Sequence, residues 1–326
     1  MPLPRRPFAD GFWPFSPLLL FPKLSPAKKD RNLELLEAHR TFFAELMTAV
    51  VGEPDSRLTT AFASTPRERY LGPGPWKVFT GRGYTQTPTA DPSLLYQDIL
   101  VALEEDRGIN NGQPSLHALC LSALKVKEGE RATHIGAGSG YYTAILAALV
   151  TASGAVSAYE VEETLAHRAA GNLAHLPQVT VLARSGTEGS IPDSDVIYVS
   201  AGASAPLDLW LDALLPAGRL MFPLTPDGAG GLPGLGYMLL VTRVQEQRYD
   251  ARFVCPAMFI PCLGGRDEET AKKLAEAFRR GGVSDVRSLW RHTKPDETCW
   301  CSGNGWWLST VENRPETAEM ESRQGN

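Results

Sequence analysis

Residues 132–147 read Ala-Thr-His-Ile-Gly-Ala-Gly-Ser-Gly-Tyr-Tyr-Thr-Ala-Ile-Leu-Ala. A short apolar run is followed by glycines at 136, 138 and 140, and then by an apolar segment free of glycine and proline. This order predicts a strand, a sharp turn and a helix. Glycine lets the backbone turn and a ligand approach it, while the start of a helix offers unpaired N–H donors. By itself, the turn also fits a strand-to-helix connection that binds nothing.

The same alternation of strand-like runs and helical patterns continues on both sides of this stretch. It predicts βαβ units and therefore an α/β fold with a doubly wound, mainly parallel, Rossmann-like sheet. The predicted strands cover 131–135, 155–159, 179–182, 196–199, 219–223 and 238–244. The predicted intervening helices cover 115–124, 141–150, 164–174 and 207–214.

Composition divides the chain into three regions, 1–53, 54–262 and 263–326. The first holds a proline-interrupted apolar stretch at 12–21, interpreted as an arm packed on the domain, and a predicted helix over 32–51. The third holds a predicted helix over 268–280 and a polar end, 312–326, expected to be disordered. Between them lie tryptophans that we expect to serve as core or lid residues: Trp290, Trp300, Trp306 and Trp307.

Charge and cysteine content exclude several classes of protein. The net charge is -5 with scattered Lys and Arg, so we expect no nucleic-acid partner. No stretch is long and uncharged enough to suggest a membrane span. The five cysteines lack the spacing of a disulfide framework or zinc module, which favours a cytoplasmic protein without a metal. A metal site built from Cys299, Cys301 and His292 is the weaker alternative.

An acidic residue, Glu160, directly follows the predicted strand at 155–159. A carboxylate at the end of this strand can accept hydrogen bonds from both hydroxyls of a ribose. Together with the glycine turn, it predicts a nucleoside cofactor, with NAD and S-adenosylmethionine both open on these residues alone. A solvated glutamate at the end of a strand is the alternative.

Blocks spread from residue 65 to residue 254 resemble those of the protein-L-isoaspartate O-methyltransferases. Residues 136–147 resemble that family's GTGSGYxxAxLA loop, residues 65–68 its VPRE element and residues 159–161 its VER acid. Further blocks with the family's order lie at 96–98, 113–118, 199–203, 215–220 and 252–254. The resemblance implies a class I methyltransferase that uses S-adenosylmethionine to methylate a carboxylate of a peptide or protein, with isoaspartyl repair as the most familiar form.

The resemblance also implies which residues form the site. The cofactor would lie against Gly136, Ala137, Gly138, Ser139, Gly140, Tyr141, Glu160 and Ser185. The acceptor would lie against residues 110–117, where the candidate catalytic residues are Asn111, Gln113 and His117. Amide groups can donate hydrogen bonds to a carboxylate, although an Asn pair before glycine is often a simple turn and a helical His often a packing residue.

Three residues depart from the family pattern. His134 and Ser185 stand where the family has acids, and Gly112 stands where it has a serine. These differences leave two further hypotheses: the same cofactor with a specialised peptide or small-molecule acceptor, or a non-catalytic binding module of the same fold. A peptide carboxylate is already ionised at neutral pH, so the implied reaction needs no general base.

Overall fold

The computed structural model describes residues 26–52, 54–228 and 234–313. The predictions for the N-terminal arm at 12–21 and for the polar end beyond residue 313 lie outside these residues. The helices are α1 (Pro26–Thr48), α2 (Ser56–Ser64), α3 (Arg67–Leu71), α4 (Pro114–Leu124), α5 (Tyr141–Val150), α6 (Glu163–Leu173), α7 (Asp208–Asp212) and α8 (Glu268–Arg280).

Most of the strands lie in the second half of the described chain. They are β1 (Lys77–Phe79), β2 (Tyr84–Gln86), β3 (Ala102–Glu104), β4 (Ile109–Asn110), β5 (Arg131–Ile135), β6 (Ala155–Tyr159), β7 (Val179–Leu182), β8 (Ser194–Val199), β9 (Leu214–Leu224), β10 (Gly236–Gln245), β11 (Arg248–Ala257), β12 (Ser288–Arg291), β13 (Cys299–Gly303) and β14 (Trp306–Ser309).

Within the described residues, one ten-stranded sheet has the order β13-β14-β12-β11-β10-β9-β8-β5-β6-β7. The strands from β7 to β9 pair in parallel, whereas every pairing from β9 to β13 is antiparallel. The predicted α/β Rossmann-like fold is confirmed. The sheet as a whole is mixed because β10 pairs antiparallel with β9 and every later strand then adds antiparallel to its neighbour, although α8 lies between β11 and β12 along the chain.

The sheet is covered on both faces, as expected for a doubly wound fold. One face packs against α1, α2, α4, α5 and α6 through a core that contains Phe43, Leu58, Leu121 and Ile145. The other face packs against α7 and α8, with Trp210 and Leu274 fully buried. Because both faces are covered, the central strands are buried along most of their length rather than alternately, and this includes polar residues such as Thr133 and His134 of β5.

The predicted element boundaries agree closely at the centre of the sheet and less well outside it. β5, β6, β7, α5 and α8 have the predicted bounds. The helix predicted over 207–214 is shorter, because β9 already begins at Leu214 and pairs with β8 there. The first helix extends further towards the N-terminus than predicted and begins at Pro26, which is tolerated in a first helical turn.

The C-terminal region continues the sheet. β12 pairs with β11, and β14 lies between β12 and β13. Trp300, Trp306 and Trp307 are buried, which agrees with the core interpretation. Arg291 of β12 is buried and bonded to Asp208 and Asp212, so it links this part of the sheet to α7.

None of the helices among the described residues combines the length and the apolar character that crossing a membrane requires.

Candidate active site

A cavity of about 730 Å³ opens at the carboxyl ends of β5, β6 and β8. This is the edge where parallel α/β sheets bind their ligands, and the volume is ordinary for a small-molecule site. Its lining comes from the glycine turn after β5, the residues after β6, β7 and β8, the small strands and loop before α4, Leu235 before β10, and the stretch that follows β11.

The glycine turn forms one wall of the cavity. Gly136 and Ala137 donate their N–H groups to the carbonyl of Tyr159, which fixes the turn to the end of β6. Gly138 has φ +56°, and its N–H lies 2.6 Å from Glu160 Oε2. Ser139 and Tyr141 complete this wall.

Gly140 has a different place from the other predicted cofactor residues. It does not line the cavity but precedes α5 with φ +94°. A Cβ added there would lie 2.8 Å from Leu173 Cδ1 of α6. The glycine is therefore explained by a positive φ and close helix packing.

Glu160 brings a buried carboxylate to the cavity. Its side chain is 6% exposed, with Oε2 accepting from Gly138 and Oε1 accepting from the N–H of Glu162 at 3.0 Å. Burial raises the pKa of Glu160, and the two backbone hydrogen bonds act in the opposite direction. Each carboxylate oxygen has a further lone pair, so the group can also accept two hydroxyl hydrogen bonds from a ligand.

Ser185 lines the cavity after β7. Its Oγ accepts the N–H of Thr187 at 3.1 Å and lies 2.7 Å from Thr187 Oγ1. Thr187 Oγ1 in turn donates to the carbonyl of Leu263 at 2.9 Å, so the Ser185 hydroxyl donates to Thr187. Its hydrogen atom is therefore engaged within the protein, and its predicted contact with the cofactor stays a prediction.

Asn111 provides a free donor on the wall of the cavity that the segment before α4 forms. Its Oδ1 accepts the N–H of Val101 at 2.7 Å, and this bond fixes the orientation of the amide because only the oxygen can accept. Its Nδ2 is buried and has no hydrogen-bond partner among the described residues. The buried hydroxyl of Tyr141 is also unpaired within that part of the chain. Such groups are rare in native proteins and call for a ligand or water as partner.

Gln113 lies at the exposed mouth of the same cavity. Its Nε2 donates to Asp98 Oδ2 at 2.8 Å. Asp98 also accepts the N–H and the hydroxyl of Ser115, and so caps the start of α4. Gln113 is therefore engaged in this capping network, whereas Asn111 holds an unused donor.

His117 is buried and held by aromatic neighbours. Its Nδ1 lies 2.6 Å from the hydroxyl of Tyr198, and its ring stacks on Tyr142 with centroids 3.5 Å apart. Burial lowers the pKa of His117 well below its usual range, so the ring is neutral at neutral pH. These contacts support the interpretation of His117 as a packing residue that lines the cavity.

His134, at the position of the family's acid, is a buried link between three elements. Its Nδ1 lies 2.8 Å from Thr143 Oγ1 of α5, and its Nε2 lies 3.1 Å from Ser200 Oγ after β8. Burial lowers the pKa of His134 to about 3. A neutral imidazole that bonds through both nitrogens thus holds the base of the glycine turn.

Sequence reasoning missed the apolar part of the lining. Phe79 and Leu103 come from the small strands before α4, and Met258 and Phe259 follow β11. The unbroken apolar run at 256–263 was the available signal, since it continues past the end of a strand.

None of the C-terminal tryptophans lines the cavity, so the lid alternative is not supported. No cluster of three metal-ligating side chains occurs among the residues that the structure describes.

Comparison with known proteins agrees with this geometry. The family model described as protein-L-isoaspartate(D-aspartate) O-methyltransferase matches residues 52–267. A protein-L-isoaspartate O-methyltransferase of Methylorubrum populi is 34% identical over 234 residues, covering 71% of this chain and 98% of the relative. A similar relative from Anaeromyxobacter, protein-L-isoaspartate O-methyltransferase 2, is 30% identical over 235 residues and covers 70% and 85%.

A solved structure shows the same fold. It is a Plasmodium falciparum protein assigned as a protein-L-isoaspartate O-methyltransferase and crystallised with S-adenosyl-L-homocysteine. The TM-score is 0.54 at 17% identity, with 69% of this chain and 98% of that one covered.

Proposed function

Because this chain belongs to the protein-L-isoaspartate(D-aspartate) O-methyltransferase family, we propose that it methylates an isoaspartyl-type carboxylate of a peptide or protein with S-adenosylmethionine. The observation that carries the acceptor assignment is the buried, unpaired Nδ2 of Asn111 in the same cavity as Glu160. The Asn111 amide can donate a hydrogen bond to a carboxylate, and the Glu160 carboxylate can accept hydrogen bonds from the two hydroxyls of a sugar.

The residues present fit a nucleoside cofactor. Glu160 would accept the ribose hydroxyls, and the turn formed by Gly136 to Ser139 would lie against the rest of the molecule. When bound, S-adenosylmethionine supplies an electrophilic methyl group on a cationic sulfur. Tyr141, whose buried hydroxyl is unpaired within the described residues, lies on the same wall.

The protein contributes positioning rather than proton transfer. An aspartyl-type carboxylate titrates near 3.9, so it is already a nucleophile at neutral pH. Burial keeps His117 and His134 neutral. Neither imidazole therefore carries a positive charge that could draw the carboxylate away from the methyl group. Correct alignment of two reacting groups can supply roughly 7 to 11 kcal/mol of a barrier. We assign this alignment to Asn111 and to the partly dehydrated cavity around it.

The sequence left two alternatives, a non-catalytic binding module and a specialised acceptor, and the observations bear on them differently. The relatives favour the carboxyl methyltransferase over a non-catalytic binding module, and the glycine turn and Glu160 retain the form that a nucleoside site requires. A specialised acceptor is a narrower form of the proposed function, and the acceptor segment with Gly112 in place of serine is the reason to consider it.

The cofactor assignment predicts that Glu160→Gln weakens the binding of S-adenosylhomocysteine by about 1.5 to 3 kcal/mol, because the charged acceptor of two hydroxyl groups is lost. Isothermal titration calorimetry measures this directly. Glu163→Gln makes the same change of charge on an exposed side chain outside the cavity lining, so it should bind normally. Equal affinities for the two variants would remove Glu160 from the cofactor site.

The acceptor assignment predicts that Asn111→Asp lowers kcat/KM for an isoaspartyl peptide at least about tenfold while leaving S-adenosylhomocysteine affinity unchanged. The carboxylate can still accept from Val101, but it replaces the free donor by a charge that repels the acceptor. The assay measures the methanol that the methyl ester product releases in mild base. Asn32→Asp on α1 is the control. Normal turnover by Asn111→Asp would contradict the assignment.

A further inference from the structure

The mouth of the cavity is unusually rich in exposed apolar side chains. Those on the walls around the acceptor segment are Phe79, Leu235, Met258 and Ile260, which we call the apolar rim. Their exposed fractions are 39%, 59%, 60% and 37%. Single exposed apolar residues are ordinary, but a group of them around one opening indicates a binding surface.

The rim is built by two separate parts of the fold. Leu235 precedes β10 and Met258 follows β11; because Gly236 pairs with Ala257, the two residues lie side by side at the end of this ladder. Phe79 belongs to the β1–β2 hairpin, where its ring packs edge-to-face on Tyr84 with centroids 5.4 Å apart. The rim thus flanks the opening rather than forming a patch on one element.

The rim is continuous with the acceptor end of the cavity. Phe259, between Met258 and Ile260, packs edge-on to His117 with centroids 6.0 Å apart. His117 in turn adjoins Gly112, the residue after Asn111. An acceptor whose carboxylate reached Asn111 would therefore present its neighbouring groups to the rim.

The charged residues at the mouth offer little to a charged acceptor. Arg107 is bonded to Glu162 and also donates to Glu104 at 2.8 Å. Arg184 donates to the carbonyl of Ser190 at 2.8 Å and lies over the ring of Tyr159. Since these guanidinium groups already have partners, apolar contact is the main interaction that the mouth provides beyond the carboxylate site.

We propose that the acceptor is a peptide segment in which bulky apolar residues flank the carboxylate-bearing residue, and that the apolar rim selects it. The inference rests on the proposed function. Burial of the flanking side chains against the rim removes apolar surface from water on both partners. Part of that binding energy holds the carboxylate in place for methyl transfer, so the preference appears in kcat/KM.

The test compares two isoaspartyl peptides of equal length and charge, one with Leu and Phe beside the isoaspartyl residue and one with Ser and Asn. We expect kcat/KM at least about tenfold higher for the apolar peptide, the scale of discrimination that hydrophobic contacts provide. Met258→Ser combined with Ile260→Ser should bring the two values together. Val244→Ser, at an exposed apolar residue of β10 outside the cavity, should preserve the difference.

Calorimetry with S-adenosylhomocysteine verifies that each variant keeps a folded cofactor site. Equal kcat/KM for the two peptides in the parent protein would overturn the apolar selection and leave the proposed function intact. A preference for the apolar peptide that survives in the rim variant would also overturn it. If neither peptide is methylated although S-adenosylhomocysteine binds, the proposed function fails, and the inference fails with it.

Discussion

Gly112 illustrates how a single residue can be understood only together with its neighbour in space. The backbone there has φ +75°, and an added Cβ would lie 2.2 Å from His117 Nε2. Non-glycine residues pay about 1 to 2 kcal/mol for this left-handed conformation, and the imidazole leaves no room for a side chain. The absence of the family's serine is thus linked to the buried position of His117 rather than to the acceptor alone.

Gly112→Ser is therefore expected to lower stability by at least about 1 to 2 kcal/mol and to leave isoaspartyl turnover unimproved, because the hydroxyl cannot be placed without displacing His117. Urea denaturation and methyl-transfer assays measure the two effects.

Combining Gly112→Ser with His117→Ala removes the clash but not the backbone strain, so the double variant should lose less stability than the sum of the single changes. Strict additivity of the two changes would show that the imidazole is not what excludes the serine.

At the scale of elements, the C-terminal strands act as part of the sheet. Trp300 of β13 donates from Nε1 to the carbonyl of Gly281 at 2.8 Å and contacts the rings of Phe253 and Phe278, each at 5.3 Å between centroids. These contacts join β13 to β11 and α8. The region beyond residue 263 is thereby bound to the same core as the catalytic half, although its edge of the sheet is far from the glycine turn in strand order.

Trp300→Ala should destabilise the protein by about 3 to 5 kcal/mol, the range for removing a large buried aromatic side chain, without changing S-adenosylhomocysteine affinity under conditions where it remains folded. Chemical denaturation and calorimetry provide the two measurements. Trp290→Ala, at a less buried tryptophan on β12, should cost less. Loss of cofactor binding in folded Trp300→Ala protein would contradict a purely structural role.

The strand, turn and helix at 131–150 were predictable because the signals are local: β-branched and apolar residues, alternating glycines and an uninterrupted helical pattern. The position of Glu160 was also predictable, because it directly follows the short apolar run that forms β6. The pairing of β6 with β5 then places it beside the glycine turn. The unpaired Nδ2 of Asn111 was not, because it depends on the bond to Val101 in a different segment. The antiparallel continuation of the sheet likewise depends on long-range pairing that short apolar runs do not specify.

For the molecule as a whole, two neutral histidines buried in one core couple stability to pH. Burial lowers the pKa of His134 from 6.5 to about 3 and lowers the pKa of His117 well below 6.5. In the unfolded chain both would be protonated below about pH 6.5. A group with a depressed folded pKa contributes its full stability above the unfolded value. That contribution is lost as the pH falls towards the folded value.

We therefore expect the free energy of unfolding to fall as the pH is lowered from 6.5 to 5, by about 1.4 kcal/mol per pH unit for each histidine that stays neutral in the folded state. His134→Gln retains a donor and an acceptor for Thr143 and Ser200 but cannot titrate, so it should flatten this slope by up to that amount. Because the readout is the slope, a general loss of stability in the variant does not obscure it.

His39→Gln, on an exposed face of α1, should keep the parent slope. Urea denaturation at several pH values gives the comparison. If the parent, His39→Gln and His134→Gln proteins share one slope, proton uptake by His134 does not contribute to acid unfolding.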